Sequence, residues 1–200
     1  MDQDIFRPTL KNMKKVLFLD RDGVINRDRP SYITKWEEFQ FLPGSIEAVA
    51  QLTAIGFSII IITNQSAIGR KIMSPETLNQ ISANMQRELE AGGGKILDIF
   101  YCPHLPEDGC DCRKPAAGLL RKAAAKYNID LAKAGLIGDN AKDIICARST
   151  GCAFSVLVES GYQTVAAKNE LAAMGIMPDY VGKDLFAAAK WIIREKTNNR

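Results

Sequence analysis

Short β-branched runs alternate along this chain with stretches of helical spacing, and that alternation limits its fold more than any other feature. The runs are Lys14–Asp20 (KKVLFLD), Ser58–Thr63 (SIIIIT), Ile96–Cys102 (ILDIFYC), Gly135–Asp139 (GLIGD) and Phe154–Val158 (FSVLV). Several are apolar throughout rather than every second residue, the pattern of strands covered on both faces. Between the first two, Ile46, Val49, Leu52 and Ile55 recur at spacing three until Gly56. Ser74 suits an N-cap and Pro75 a first helical position, opening a helix that runs to Gly92-Gly93-Gly94. Further helices are expected over about Gly118–Tyr127 and Asn140–Ser149, with Asp179-Tyr-Val and a helix around Leu185–Ile193 closing the chain. The order predicts an α/β fold: a doubly wound, Rossmann-like parallel sheet with helices on both faces. No repeat, low-complexity segment or linker divides the 200 residues. One domain is expected over 14–196, after an N-terminal extension over 1–13.

In such sheets ligands bind beyond the carboxyl ends of the strands. The polar residues at those ends are Asp20 and Asp22, Thr63 and Asn64, and Asp139. The sheet rule alone therefore gathers three carboxylates, a hydroxyl and an amide in one place. Two carboxylates one residue apart can divide nucleophilic and acid/base work, and a carboxylate that attacks phosphorus forms an aspartyl-phosphate. Their charge repels a phosphate, so a hard cation that takes carboxylate oxygens, Mg²⁺, is called for. Arg113 and Lys114 supply the positive charge that a transferring phosphoryl group needs.

A second metal site is written into eleven residues. Cys102, His104, Cys110 and Cys112, spaced C-x-H-x5-C-x-C, hold the chain's one histidine and three of its five cysteines. Three thiolates and an imidazole make a closed, four-coordinate zinc set, structural rather than catalytic because no position is left for water. Pro103, Pro106, Asp108 and Gly109 let the segment fold back. Zinc would pin the loop that ends in Arg113 and Lys114. Cys146 and Cys152 read as packed thiols.

The remaining composition narrows the function classes. A net charge of +3 without clustered basic and aromatic residues argues against nucleic acid. No run approaches the roughly 18 apolar residues of a membrane span. Met1-Asp-Gln-Asp is no secretory signal, so a cytoplasmic location is expected. Nothing in the pattern sets the oligomeric state, and a monomer is the expectation.

Four ordered segments resemble the motifs of the haloacid dehalogenase superfamily of phosphatases. These are Asp20-Arg-Asp-Gly-Val24, Ile62-Thr63-Asn64, Lys114 in Cys112-Arg-Lys-Pro115, and Gly138-Asp139-Asn-Ala-Lys-Asp143. The likeness covers about residues 14–160. It implies Asp20 as nucleophile and Asp22 as the acid that protonates the leaving alcohol and then activates water. Thr63 and Lys114 would hold the phosphoryl group, and Asp20, the Asp22 carbonyl and Asp139 would bind Mg²⁺. Asp143 is left with two readings, orienting the metal shell or standing as an exposed first-turn acid. Absence of a long insert after the first or second motif implies no large cap domain, only loops such as Arg27–Trp36 and Ser66–Ser74.

The zinc loop narrows the resemblance to a small group of phosphoric monoester hydrolases acting on phosphorylated small molecules. Within it, Ile25-Asn26, Asp28, Tyr32, Phe39-x-Phe41-Leu-Pro-Gly44 and Thr63-Asn-Gln-Ser-Ala-Ile-Gly69-Arg70 favour the 7-phosphate of D-glycero-D-manno-heptose 1,7-bisphosphate. Histidinol phosphate is the alternative, and a polynucleotide end or a zinc-stabilised binding module lies further off. The resemblance places Asp28, Tyr32, Thr63, Asn64, Gln65, Ser66, Arg113, Lys114 and Asn140 around the substrate, with Tyr32 also readable as a loop anchor.

Overall fold

The structure is a computed structural model and describes residues 15–198. The expected N-terminal extension lies outside the described residues. Six strands form one sheet: β1 (Val16–Leu19), β2 (Ser58–Asn64), β3 (Ile96–Cys102), β4 (Gly135–Gly138), β5 (Phe154–Val158) and β6 (Tyr180–Gly182). All pairs are parallel, in the order β3-β2-β1-β4-β5-β6. Leu17 lies between Ile59 on one side and Gly135 on the other.

Among the described residues, seven helices flank these six strands: α1 (Ser45–Ala54), α2 (Ser66–Gly69), α3 (Pro75–Ala91), α4 (Gly118–Tyr127), α5 (Ala141–Ser149), α6 (Thr164–Ala173) and α7 (Leu185–Asn198). Because strand side chains alternate, Leu17, Leu19, Ile59 and Ile61 pack toward α1, α3 and α7. Val16, Phe18, Ile60 and Ile62 pack toward α4 and α5. Both faces are buried, which is why these strands read as unbroken apolar runs. A third, smaller cluster joins α5 and α6 through Ile144, Leu157 and Leu171.

Ser74 caps α3 as expected, its hydroxyl accepting from the Thr77 amide at 3.2 Å, with Pro75 in the first turn. Three elements depart from the sequence reading. The expected loop 66–74 begins with the four-residue α2. Helix α6 was not foreseen, because Thr164–Ala173 buries only Thr164, Ala167 and Leu171 and carries a weak apolar stripe. Helix α7 runs to Asn198 rather than stopping near Ile193, since Arg194 and Glu195 are good helix formers that need no core.

Strand order reverses between β1 and β4, so the crevice at the sheet's carboxyl end opens beside Asp20. The Asp20 amide donates to the Ile137 carbonyl at 2.9 Å, which locks that residue to the switch point. Among the described residues, the stretch between β1 and α1 holds only a 3₁₀ turn (Trp36–Glu38) and that between β2 and α3 only α2, so no large cap covers the crevice.

Candidate active site

Asp20 stands one residue past β1 and remains 14% exposed at its side chain. Lys114 reaches it from across the sheet. The Lys114 ammonium lies 2.9 Å from Asp20 Oδ2 and 2.5 Å from Asp143 Oδ1, and donates to the Ile62 carbonyl at 3.0 Å. Lys114 and Asp143 are 2% and 1% exposed, so Asp143 is not the solvated first-turn acid that one reading allowed. Its other oxygen accepts from the Asn140 amide at 3.1 Å, completing a capping box with Asn140 at the start of α5. Burial works against the Lys114 cation, but Asp143 and Asp20 outweigh it and hold its pKa above the usual lysine value. For Asp20, burial and the charges of Asp143 and Asp22 outweigh Lys114 and push the pKa up to about 7.

Asp22 is held quite differently. Arg21, itself buried, grips it with a guanidinium fork: Nε donates to Oδ2 at 3.1 Å and Nη2 to Oδ1 at 2.9 Å and Oδ2 at 2.8 Å. Asn26 donates to Oδ1 and Gln65 to Oδ2, both at 2.9 Å. Burial alone would raise this carboxyl; the Arg21 charge and the Arg21, Asn26 and Gln65 hydrogen bonds hold it below the usual carboxylate range. The two aspartates thus differ in environment, and without a bound cation or phosphate the shifts run against their expected roles: Asp20, the expected nucleophile, holds its proton more tightly than Asp22, the expected acid.

Asp139 follows β4 and is buried. Burial comes first, then the charges of Asp20 and Asp143, and together they push its pKa up to about 9. Asp20, Asp139 and Asp143 offer oxygens within 4.8 Å of one another. Gly23, at φ +78°, and Gly161 leave the space that Asp139 occupies; a Cβ on either would run into its carboxylate. Carboxylates so crowded and short of donors are a donor set for a hard cation.

The consecutive amides after Thr63 turn opposite ways. Asn64 brackets the Lys114 backbone, its Oδ1 accepting from the amide at 3.0 Å and its Nδ2 donating to the carbonyl at 3.1 Å. Gln65 faces Asp22 and Thr63, donating to Thr63 Oγ1 at 2.8 Å. Asp28, Tyr32, Arg113 and Asn140 line the same cleft of about 240 Å³, together with Arg29, Lys142 and Tyr162. Burial, then the Asp22 charge, raises Asp28 to about 6. Ser66 stands behind Tyr32, with their hydroxyls 3.5 Å apart, and Arg70 donates to the Tyr32 oxygen at 3.0 Å. Tyr32 therefore both anchors its loop and lines the cleft.

The hold of Arg21 and Asn26 on Asp22, and the loop at Ser160–Tyr162, escaped the sequence reading. Arg21 could have been suspected from its place between two acids. Ser160, whose hydroxyl donates to the Gly23 carbonyl at 2.6 Å, lies 137 residues from its partner and left no local signal.

The four zinc-type ligands converge. Cys112 Sγ lies 3.2 Å from Cys102 Sγ and 3.5 Å from Cys110 Sγ, Cys102 and Cys110 are 3.6 Å apart, and His104 Nδ1 is 3.2 Å from Cys112 and 3.5 Å from Cys102. The loop is stitched to the exit of β2: Gln65 donates to the Cys102 carbonyl at 2.7 Å and Gly69 to the Pro103 carbonyl at 3.0 Å. Arg113 donates to the His104 carbonyl at 3.1 Å.

Known proteins share this fold and much of this sequence. A HAD-hydrolase-like family model matches residues 111–188. The D-glycero-beta-D-manno-heptose-1,7-bisphosphate 7-phosphatase of Bordetella bronchiseptica is 39% identical over 184 residues, covering 90% of this chain and 99% of that protein. The chain belongs to that phosphatase family, within the haloacid dehalogenase hydrolases. The Pseudomonas putida member is 44% identical over 147 residues, 74% of this chain and 83% of the relative. The crystal structure of the Bordetella bronchiseptica family member, complexed with magnesium and phosphate, superposes with a TM-score of 0.83 at 38% identity, over 90% of this chain and 99% of that one. No helix among the described residues is long and apolar enough to cross a membrane.

Proposed function

We propose that this phosphatase removes the 7-phosphate of D-glycero-D-manno-heptose 1,7-bisphosphate through an aspartyl-phosphate on Asp20. The observation that carries the mechanism is the Lys114 ammonium, buried between Asp20 and Asp143 at the switch point of the sheet. The substrate assignment is supported by the family's named activity, given for the beta anomer in the Bordetella bronchiseptica and Pseudomonas putida relatives.

An Asp20 oxygen forms a bond to phosphorus as the ester oxygen leaves, and Asp22 delivers a proton to that oxygen. The approaching phosphate raises the proton affinity of Asp22 against the pull of Arg21. Asp22, now a carboxylate, takes a proton from water, whose oxygen attacks phosphorus and frees Asp20. Lys114 and the Thr63 hydroxyl hold the phosphoryl oxygens. Asp20, Asp139 and the Asp22 carbonyl would hold Mg²⁺, which when bound neutralises carboxylate and phosphoryl charge. Asp143 stands behind them, since both its oxygens serve Lys114 and Asn140. Asp28, Tyr32, Arg113 and Asn140 face the sugar.

Cys102, His104, Cys110 and Cys112 would hold zinc. Bonds of about 2.3 Å to sulfur in a tetrahedron put sulfurs roughly 3.7 Å apart, close to the spacing found. The thiolates suit a reducing cytoplasm, and the chain acts as a monomer on a small phosphorylated sugar.

The test offers purified protein with Mg²⁺ the two anomers of the heptose bisphosphate, histidinol phosphate and a 3′-phosphorylated oligonucleotide, and measures released phosphate. The expected result is the highest kcat/KM for the beta bisphosphate. A tenfold preference for histidinol phosphate would overturn the substrate assignment.

A further inference from the structure

We infer that Gln65 is a positioning residue that aims the proton donor and the phosphoryl-holding hydroxyl together, rather than a substrate contact. This rests on the phosphatase reading above.

The Gln65 side chain is 5% exposed. Its Nε2 lies 2.9 Å from Asp22 Oδ2 and 2.8 Å from Thr63 Oγ1, and its Oε1 accepts from Arg21 Nη2 at 3.2 Å. A carboxylate only accepts, so the nitrogen is the atom facing Asp22. An amide has two N–H bonds, and both are used within the protein. Although Gln65 borders the cleft, neither N–H is left to donate to a sugar hydroxyl, and its oxygen is turned to Arg21.

The two bonds have distinct consequences. Toward Asp22, Gln65 adds a tether from β2 to a carboxylate otherwise gripped by Arg21 and Asn26, both from its own segment. Without it the carboxylate can follow Arg21 as a unit and drift from the leaving oxygen. Toward Thr63, the incoming N–H occupies the hydroxyl oxygen as acceptor, which turns the hydroxyl's own hydrogen away from Gln65. Thr63 lines the cleft, so that hydrogen is presented to a phosphoryl oxygen. Gln65 is itself held, since its backbone N–H donates to the Cys102 carbonyl at 2.7 Å. The zinc loop, the hydroxyl and the acid are thereby fixed in one frame.

The experiment compares wild type with Gln65→Met, close in shape but without donors, across phosphate monoesters whose leaving groups range from p-nitrophenol to simple alkyl alcohols. It reads kcat/KM, which reports transfer to Asp20. General acid catalysis contributes about 10²–10⁴-fold to poor leaving groups and little to good ones. The variant is therefore expected to lose on the order of 100-fold with alkyl phosphates and at least about tenfold less with p-nitrophenyl phosphate, steepening the dependence on leaving-group pKa. Gln65→Leu, neutral and likewise without donors, gives the same readout should the Met variant fail to fold. An equal loss for every ester, or no loss, would overturn the inference while leaving the phosphatase reading standing. A wild-type protein inert toward every ester refutes that reading, and the inference with it.

Discussion

Replacing Lys114 by methionine tests the electrostatic frame of the site without relying on turnover. The ammonium is 2% exposed and touches Asp20 at 2.9 Å, Asp143 at 2.5 Å and the Ile62 carbonyl at 3.0 Å. Methionine fills most of the volume, so the loss is of charge and hydrogen bonds. Removing one partner of a buried ion pair costs about 3–5 kcal/mol, and two carboxylates are orphaned here, which places the cost at the upper end, about 4–5 kcal/mol. Against a total stability of about 5–15 kcal/mol that is a large fraction. The cost depends on pH with a definite sign. Asp20 already has a folded pKa of about 7 against an unfolded 3.8, with Lys114 lowering it. Without Lys114 the folded pKa rises further. An acid raised on folding favours the folded state below its unfolded pKa and loses that advantage as pH climbs through the folded value. The deficit of the variant should therefore be about 3 kcal/mol at pH 5, where Asp20 holds its proton and the pairing with Asp143 is the main loss, and grow to about 4–5 kcal/mol at pH 8.5, where both pairings are lost. Urea melts of both proteins at the two pH values, without added Mg²⁺ and with no chelator, measure it. A deficit below about 1 kcal/mol at pH 8.5, or one equal at both pH values, would refute the reasoning.

Other outcomes follow from the same geometry. Asp20→Asn should lower kcat by at least about 10⁴-fold with an unchanged circular dichroism spectrum; wild-type turnover would exclude Asp20 as nucleophile. Asn64→Leu leaves the Lys114 amide and carbonyl without the partners found at 3.0 and 3.1 Å, and should cost about 2–3 kcal/mol in urea melts and lower kcat more than it raises KM. Mg²⁺ binding should release about one to two protons per chain at pH 7, because Asp20 and Asp139 bind protons up to about 7 and 9; its affinity should then rise with pH, which calorimetry in two buffers of different ionisation enthalpy detects. Stripping zinc should lower the melting temperature and activity together, and full activity in a protein shown by elemental analysis to be zinc-free would defeat the structural role.

The sheet and most of its helices were legible because they rest on local signals: β-branched runs, spacing of three and four, a Ser-Pro start. Helix α6 was not, because only Thr164, Ala167 and Leu171 of its ten residues are buried, too few to mark a helical stripe. The zinc ligands were legible for a related reason, since four ligands within eleven residues need no knowledge of the fold to be seen as one set.

The amino-acid sequence by itself determined that Asp20, Thr63 and Asp139 would meet, since a parallel sheet puts every strand end on one side. Only the tertiary structure decided what each side chain does there. It buried Asp143 against Lys114, made Arg21 the counter-ion of Asp22, and sent Asn64 and Gln65 in opposite directions. The directions of Gln65 and Asn64 hang on partners 43 and 50 residues away. Side-chain direction at the end of a strand follows whichever distant donor or charge lies within about 3 Å, and no local pattern encodes that.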